Sequence, residues 1–143
     1  MTPDARLVKR HELLELLPTI DALILSSPHT RETHHLVGRE ELAAMPRSAM
    51  LVNVSRGAVV DEAELTAALR EGRIAGAALD VFEHEPLPTD SPLWDMPNVL
   101  ISPHSASTVA AENHRIVDLF IDNLGRYLAG RPLRNVFVAS RGY

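Results

Sequence analysis

Apolar residues gather in short unbroken runs along this chain, and stretches with helical spacing separate them. The runs are Ala22–Ser26, Met50–Val54, Gly76–Val81 and Asn98–Ser102. None alternates polar with apolar, as a strand with one solvated face would. Continuous runs of this length predict strands buried on both faces, the situation in a parallel sheet.

The intervening stretches carry helix signals. Leu13, Leu14 and Leu17 fall on one side of a helix expected over Glu12–Leu17, ended by Pro18. A short helix over Arg39–Met45 is expected to stop at Pro46. Asp61 is placed as an N-cap, with Glu64 as its capping-box partner at the third helical position. Leu65, Ala68 and Leu69 then form a buried stripe, and Gly72 supplies the left-handed stop. The longest helix carries Val117, Phe120, Ile121, Leu124 and Leu128, with Gly130 and Pro132 as terminators. Strand alternating with helix predicts crossover units and an α/β fold.

In such sheets ligands collect beyond the carboxyl ends of the strands, so the polar residues there are the candidates. Ser26-Ser27-Pro28 follows the first run and Ser55-Arg56-Gly57 the second. Asp80 opens a loop with Glu83 and Glu85 after the third, and Pro103-His104 follows the fourth. An arginine, acids and a histidine converging there suit a reaction on an anionic hydroxy or keto acid. A guanidinium fork matches a carboxylate, and histidine moves protons near neutral pH. A carboxylate beside it fixes its tautomer and favours its protonated form.

Composition narrows the alternatives. The chain has 143 residues, enough for one domain with a real core and too few for two ordinary ones. It is 45% hydrophobic and 23% charged, as a globular protein is. Aromatics make up only 4%, so aliphatic residues and alanine must fill the core. A net charge of −5 without a basic block argues against nucleic acid as a partner. No apolar run reaches the ~18 residues of a membrane span, and the start does not read as a secretory signal. The absence of cysteine excludes disulfides, thiolate metal sites and cysteine nucleophiles. Cytoplasm is the expected compartment by elimination.

The stretch LVNVSRGAVVDEAELTAALREGRIAGAALDVFEHEPLPTDSPLWDMPNVLISPH closely resembles the D-isomer-specific 2-hydroxyacid dehydrogenases. That family includes phosphoglycerate dehydrogenases and glyoxylate/hydroxypyruvate reductases. The upstream ALILSSPHTRETHHLVG resembles its strand and loop of the form P-x-T-x-x-T-x-x-L. The resemblance runs from about Glu12 to the end, with several long signatures in order. It implies a partial Rossmann-like, doubly wound parallel sheet lacking the first strands and the glycine-rich turn. Residues 1–143 are then the C-terminal part of the nicotinamide-dinucleotide-binding domain, with a C-terminal helix and tail.

The resemblance also implies roles. Arg56 matches the arginine that holds the substrate carboxylate, Glu85 the catalytic carboxylate and His104 the general acid/base. Asp80 matches the residue that holds the nicotinamide carboxamide, and Val54, Ser55, Arg56 and His104 line the nicotinamide end. Pro28 and Thr30 lie where the family's loop passes the cofactor, and Ser107 is placed facing it. The cofactor is NAD or NADP and the substrate a small 2-keto or 2-hydroxy acid; no metal is implied. This sequence departs from many relatives in following His104 with Ser105-Ala106-Ser107 instead of a glycine pair. Ser26 stands where many have a histidine.

None of the glycines forms G-x-G-x-x-G, so the turn that cradles the pyrophosphate is not among these residues. Three readings stay open: a reductase, a non-catalytic remnant, and one half of a split enzyme. A homo-oligomer or a complementing N-terminal half is the expected partner, because the run Ala22–Leu25 is expected to be an unpaired apolar edge and the sheet faces to be left partly bare. Glu83 reads as a solvated loop acid, His34-His35 as surface loop and Trp94 as a packing anchor.

Overall fold

The computed structural model describes residues 9–106 and 108–140, and the chain divides after Pro103 into two compact units. In the first unit each apolar run becomes a strand: β1 (Ala22–Leu25), β2 (Met50–Asn53), β3 (Gly76–Leu79) and β4 (Val99–Ile101). They form one sheet in the order β1-β2-β3-β4, every pair parallel. Short helices lie between them in the chain: α1 (Leu13–Leu16) before β1, α2 (Arg39–Ala44) before β2 and α3 (Glu62–Arg70) before β3. The expected α/β parallel architecture is present.

The register explains the core. Leu23, Leu51, Ala77 and Val99 stand in one row across the sheet, and Leu25, Asn53, Leu79 and Ile101 in the next row on the same face. The apolar members of those rows pack with Leu17, Val37, Leu42, Leu65, Ala68, Leu69 and Ile74 in a single cluster. Each fully buried leucine there stabilises the fold by about 1.5–3 kcal/mol. The opposite face is different. Ile24 is 65% exposed and Leu100 69%, with Met50 also exposed.

The reading of the runs as strands buried on both faces fails on this outer face, whereas the expectation that a sheet face is left partly bare holds. Strand order follows chain order without a reversal, and right-handed crossovers then keep successive helices on one side. Residues of α2 and α3 accordingly enter the same cluster. Unbroken apolar runs carry no record of which face this chain itself covers. Among the described residues β1 is an edge strand, as expected.

Most local signals in the sequence have the expected counterpart in the structure. Asp61 caps α3, its Oδ1 accepting from Glu64 N at 3.0 Å. The reciprocal half of the capping box is replaced: Asp61 N donates to Val37 O at 3.0 Å, and the Glu64 carboxylate takes two bonds from Arg39. Gly72 adopts φ 61, the left-handed stop that a side chain would strain. Met45, before Pro46, is extended, which ends α2. The first helix is shorter than expected, with 3-10 turns on both sides, and Pro18 sits inside the second turn rather than after the helix. Leu17 is fully buried but Leu14 points outward.

The second unit contains α4 (Glu112–Leu128) and a tail tied back to it. Arg134 N donates to Asn123 Oδ1 at 2.8 Å, and Asn123 Nδ2 returns a bond to Arg134 O at 3.0 Å. The expected apolar stripe is present and exposed, Phe120 at 65% and Leu128 at 77%. No described helix is long and apolar enough to cross a membrane.

Candidate active site

The carboxyl ends of the strands are joined in series by backbone bonds: Val54 N to Leu25 O, Asp80 N to Asn53 O and Ser102 N to Leu79 O. Polar residues after each run are thereby set along one edge of the sheet. This places Val54, Ser55, Arg56 and Asp80 together, as the sequence suggested.

Asn53 organises the turn after β2. It is 1% exposed, and its Oδ1 accepts from Ser55 N at 3.1 Å and Ser55 Oγ at 2.8 Å. Its Nδ2 donates to Arg56 O at 3.1 Å. A buried amide that binds three groups of one turn fixes that turn's shape. The Arg56 side chain is exposed, and its Nη1 donates to Ser55 O at 2.7 Å. Asn53 was quoted in the motif but given no role. A polar residue closing a buried apolar run was the signal that could have found it.

Gly57 has a steric reason. A Cβ there would lie 1.9 Å from the carbonyl carbon of Phe82, so the backbone beside Arg56 packs directly on the Phe82–Glu83 peptide. Asp80 is buried, and its Oδ1 accepts from Ser102 Oγ at 2.6 Å. Glu85 accepts from Phe82 N at 3.0 Å and is exposed. The loop bearing Glu85 is thus anchored at Asp80, at Phe82 and against Gly57.

The loop after β1 is internally bonded. Thr33 Oγ1 donates to Pro28 O at 2.7 Å, and Thr30 N donates to Thr33 Oγ1 at 2.7 Å. Ser27 Oγ is buried without a hydrogen-bond partner. Trp94 is a weaker packing anchor than expected: 52% exposed, it holds its loop through Nε1 donating to Pro88 O at 2.8 Å.

Glu83 is an exposed loop acid, as read, but it has a side-chain partner. Its side chain is 28% exposed, and Oε1 lies 2.8 Å from His35 Nε2. His34 and His35 are structured, their rings stacked at 4.1 Å. No group of acids and histidines among the described residues could hold a metal. His104 opens the second unit with φ 52, a left-handed conformation unusual for a side-chain-bearing residue. Ser107 lies outside the described residues.

The family model for the D-isomer specific 2-hydroxyacid dehydrogenase, NAD binding domain, matches residues 2–106. The chain belongs to this family. It is 49% identical over 133 residues to a glyoxylate/hydroxypyruvate reductase B of Pectobacterium carotovorum subsp. carotovorum (strain PC1), covering 92% of this chain and 42% of the relative. A glyoxylate reductase of Korarchaeum cryptofilum (strain OPF8) is 47% identical over 118 residues, 82% of this chain and 36% of that one. Among solved structures, a family member from Xanthobacter autotrophicus Py2 in complex with NADPH and MES superposes with TM-score 0.86 at 46% identity. It covers 93% of this chain and 54% of that one. An NADPH-dependent glyoxylate/hydroxypyruvate reductase from Sinorhizobium meliloti, in complex with NADP and sulfate, gives TM-score 0.86 at 29% identity over 99% of this chain and 48% of that one. The chain thus spans about two fifths of the length of the curated family members it matches.

Proposed function

We propose that this chain supplies the nicotinamide-side and catalytic residues of an NAD- or NADP-dependent reductase of small 2-keto acids. The observation that carries this reading is the edge built by Asn53, where Ser55, Arg56 and Asp80 are positioned by backbone and buried side-chain bonds. The residues fit a nicotinamide amide: the partnerless Ser27 hydroxyl and the Asp80 carboxylate offer polar atoms, and exposed Val54 offers an apolar surface. Asp80, Ser55, Val54, Pro28 and Thr30 are the residues we assign to it, with Ser107 as a further candidate from the sequence. When bound, the nicotinamide supplies a hydride to the keto carbon.

Arg56 holds the substrate carboxylate through its guanidinium fork. His104 gives a proton to the carbonyl oxygen during reduction and takes it back in the reverse direction. Its left-handed backbone is the kind of local strain that concentrates at functional positions. Glu85 is assigned as the catalytic carboxylate.

A specific observation favours a partner as well. The bare apolar face with exposed Ile24 and Leu100 is what a complementing N-terminal half of a dehydrogenase, or a second copy, would cover. The reading is tested by NADH- and NADPH-dependent reduction of glyoxylate, with the chain alone and mixed with the N-terminal part of the Pectobacterium relative. Turnover is expected in the mixture, with kcat falling roughly 10²–10⁴-fold in His104→Ala. Arg56→Ala is expected to raise KM for glyoxylate as well. No turnover under either condition, or turnover indifferent to both substitutions, would overturn it.

A further inference from the structure

We infer that His35 and Glu83 form a positioning clamp that locks the Asp80–Glu85 loop to the loop following β1 and to the start of α3. For its relevance to catalysis, the inference rests on the function proposed above. His35 Nε2 lies 2.8 Å from Glu83 Oε1, and His35 Nδ1 lies 3.7 Å from Asp61 Oδ2. Glu83 Oε1 also accepts from Glu62 N at 3.3 Å, while Glu83 N donates to Glu62 Oε2 at 3.0 Å. These contacts join three segments that are distant in sequence.

The histidine is itself held. Its backbone N donates to Ala58 O at 2.9 Å, and Val37 next along pairs with Val60. His35 has φ 47, so the loop is bent to present its ring. On its other side the ring stacks on His34, whose Nδ1 lies 3.1 Å from His29 Nε2.

Asp61 and Glu83 both face His35, and Glu62 is bonded to the Glu83 backbone. The imidazole bridges the first two, so removing it takes away the 2.8 Å bond to Glu83 and the link to Asp61, and the segments lose the side chain that ties them together. The consequence falls on Glu85, whose carboxylate is bonded to Phe82 N one residue before Glu83. A catalytic group displaced by about 1 Å can lose up to ~10²-fold in rate.

The test compares the unsubstituted chain with His35→Ala, Glu83→Ala and His35→Gln, which keeps a donor. Two readouts are taken: backbone amide exchange, and glyoxylate turnover in the mixture described above. Exchange at Phe82 and Glu83 is expected to quicken about tenfold in both alanine variants, while sheet amides such as Leu51 stay protected. Turnover is expected to fall about tenfold in kcat, with KM for the cofactor unchanged and partial recovery in His35→Gln. Unaltered exchange at Phe82 and Glu83 would overturn the clamp. Faster exchange with unaltered kcat would overturn its positioning role. If the unsubstituted protein shows no turnover, the proposed function fails, and the exchange measurement decides the clamp by itself.

Discussion

The edge of the sheet and its bare face sit a few residues apart in the same strands, yet they are finished to different degrees. At the edge, Asn53 satisfies three polar groups of its own turn, and Asp80, Glu83 and Glu85 each have bonds within the first unit. On the bare face, Ile24 and Leu100 leave about two thirds of their surface in water. Polar contacts at the edge are completed by this chain; apolar contacts on the face are not. The chain completes the bonds of its polar strand-end turns more fully than it covers its apolar sheet face.

The largest expected effect separates the two faces of one sheet. Leu51→Ala removes a fully buried side chain and should destabilise the fold by about 2–5 kcal/mol. Ile24→Ala, on the neighbouring strand but the opposite face, should change it by less than about 0.5 kcal/mol. Urea unfolding of both variants checks this. Equal losses would mean that the outer face is covered in solution, and would erase the contrast.

A smaller effect is expected at the edge. Asn53→Ala leaves Ser55 N and Arg56 O without their amide partner, at a cost of about 1–3 kcal/mol. Because the Arg56 turn loses its shape, KM for the keto acid should rise in the same variant. Loss of stability with unchanged KM would show that the amide serves the core alone.

The smallest effect concerns acid. The hydrogen bond from Arg39 holds the Glu64 carboxyl below its ordinary range, with the charge of Arg39 adding to it. A carboxyl lowered on folding contributes stability at and above the unfolded value, and that contribution fades as pH falls through the lowered one. Glu64→Gln should therefore flatten the acid side of the stability profile slightly, and added salt should shrink the difference because the pair is exposed. A profile unchanged by the substitution would mean that the pair linking α2 and α3 is energetically silent.

Much of this was legible in the residues. Each apolar run became a strand within a residue or two of its bounds, because turn and cap chemistry at Asp61, Gly72 and Pro46 punctuates them locally. The placement of Arg56 and Asp80 along one edge was legible because parallel strands end on the same side of the sheet whatever their lengths. Glu83 and His35 were not. They meet across 48 positions, and no local pattern records a pairing that depends on how two loops fold over α3. The residues do predict a partly bare sheet face, and Ile24 and Leu100 show it; which positions are bare is harder to read, because hydrophobicity marks a residue for burial without saying which polypeptide buries it.

The central claim is that the strand-end edge of this chain receives the nicotinamide end of the cofactor. The most direct test is a titration of the chain alone with NADH, followed through its backbone amide resonances. Shifts should concentrate at Val54, Ser55, Arg56 and Asp80 and be lost in Asp80→Ala. Without a pyrophosphate turn, binding should be weak, near millimolar. Shifts confined to other residues, no shifts at all, or low-micromolar affinity that Asp80→Ala leaves untouched would contradict the claim.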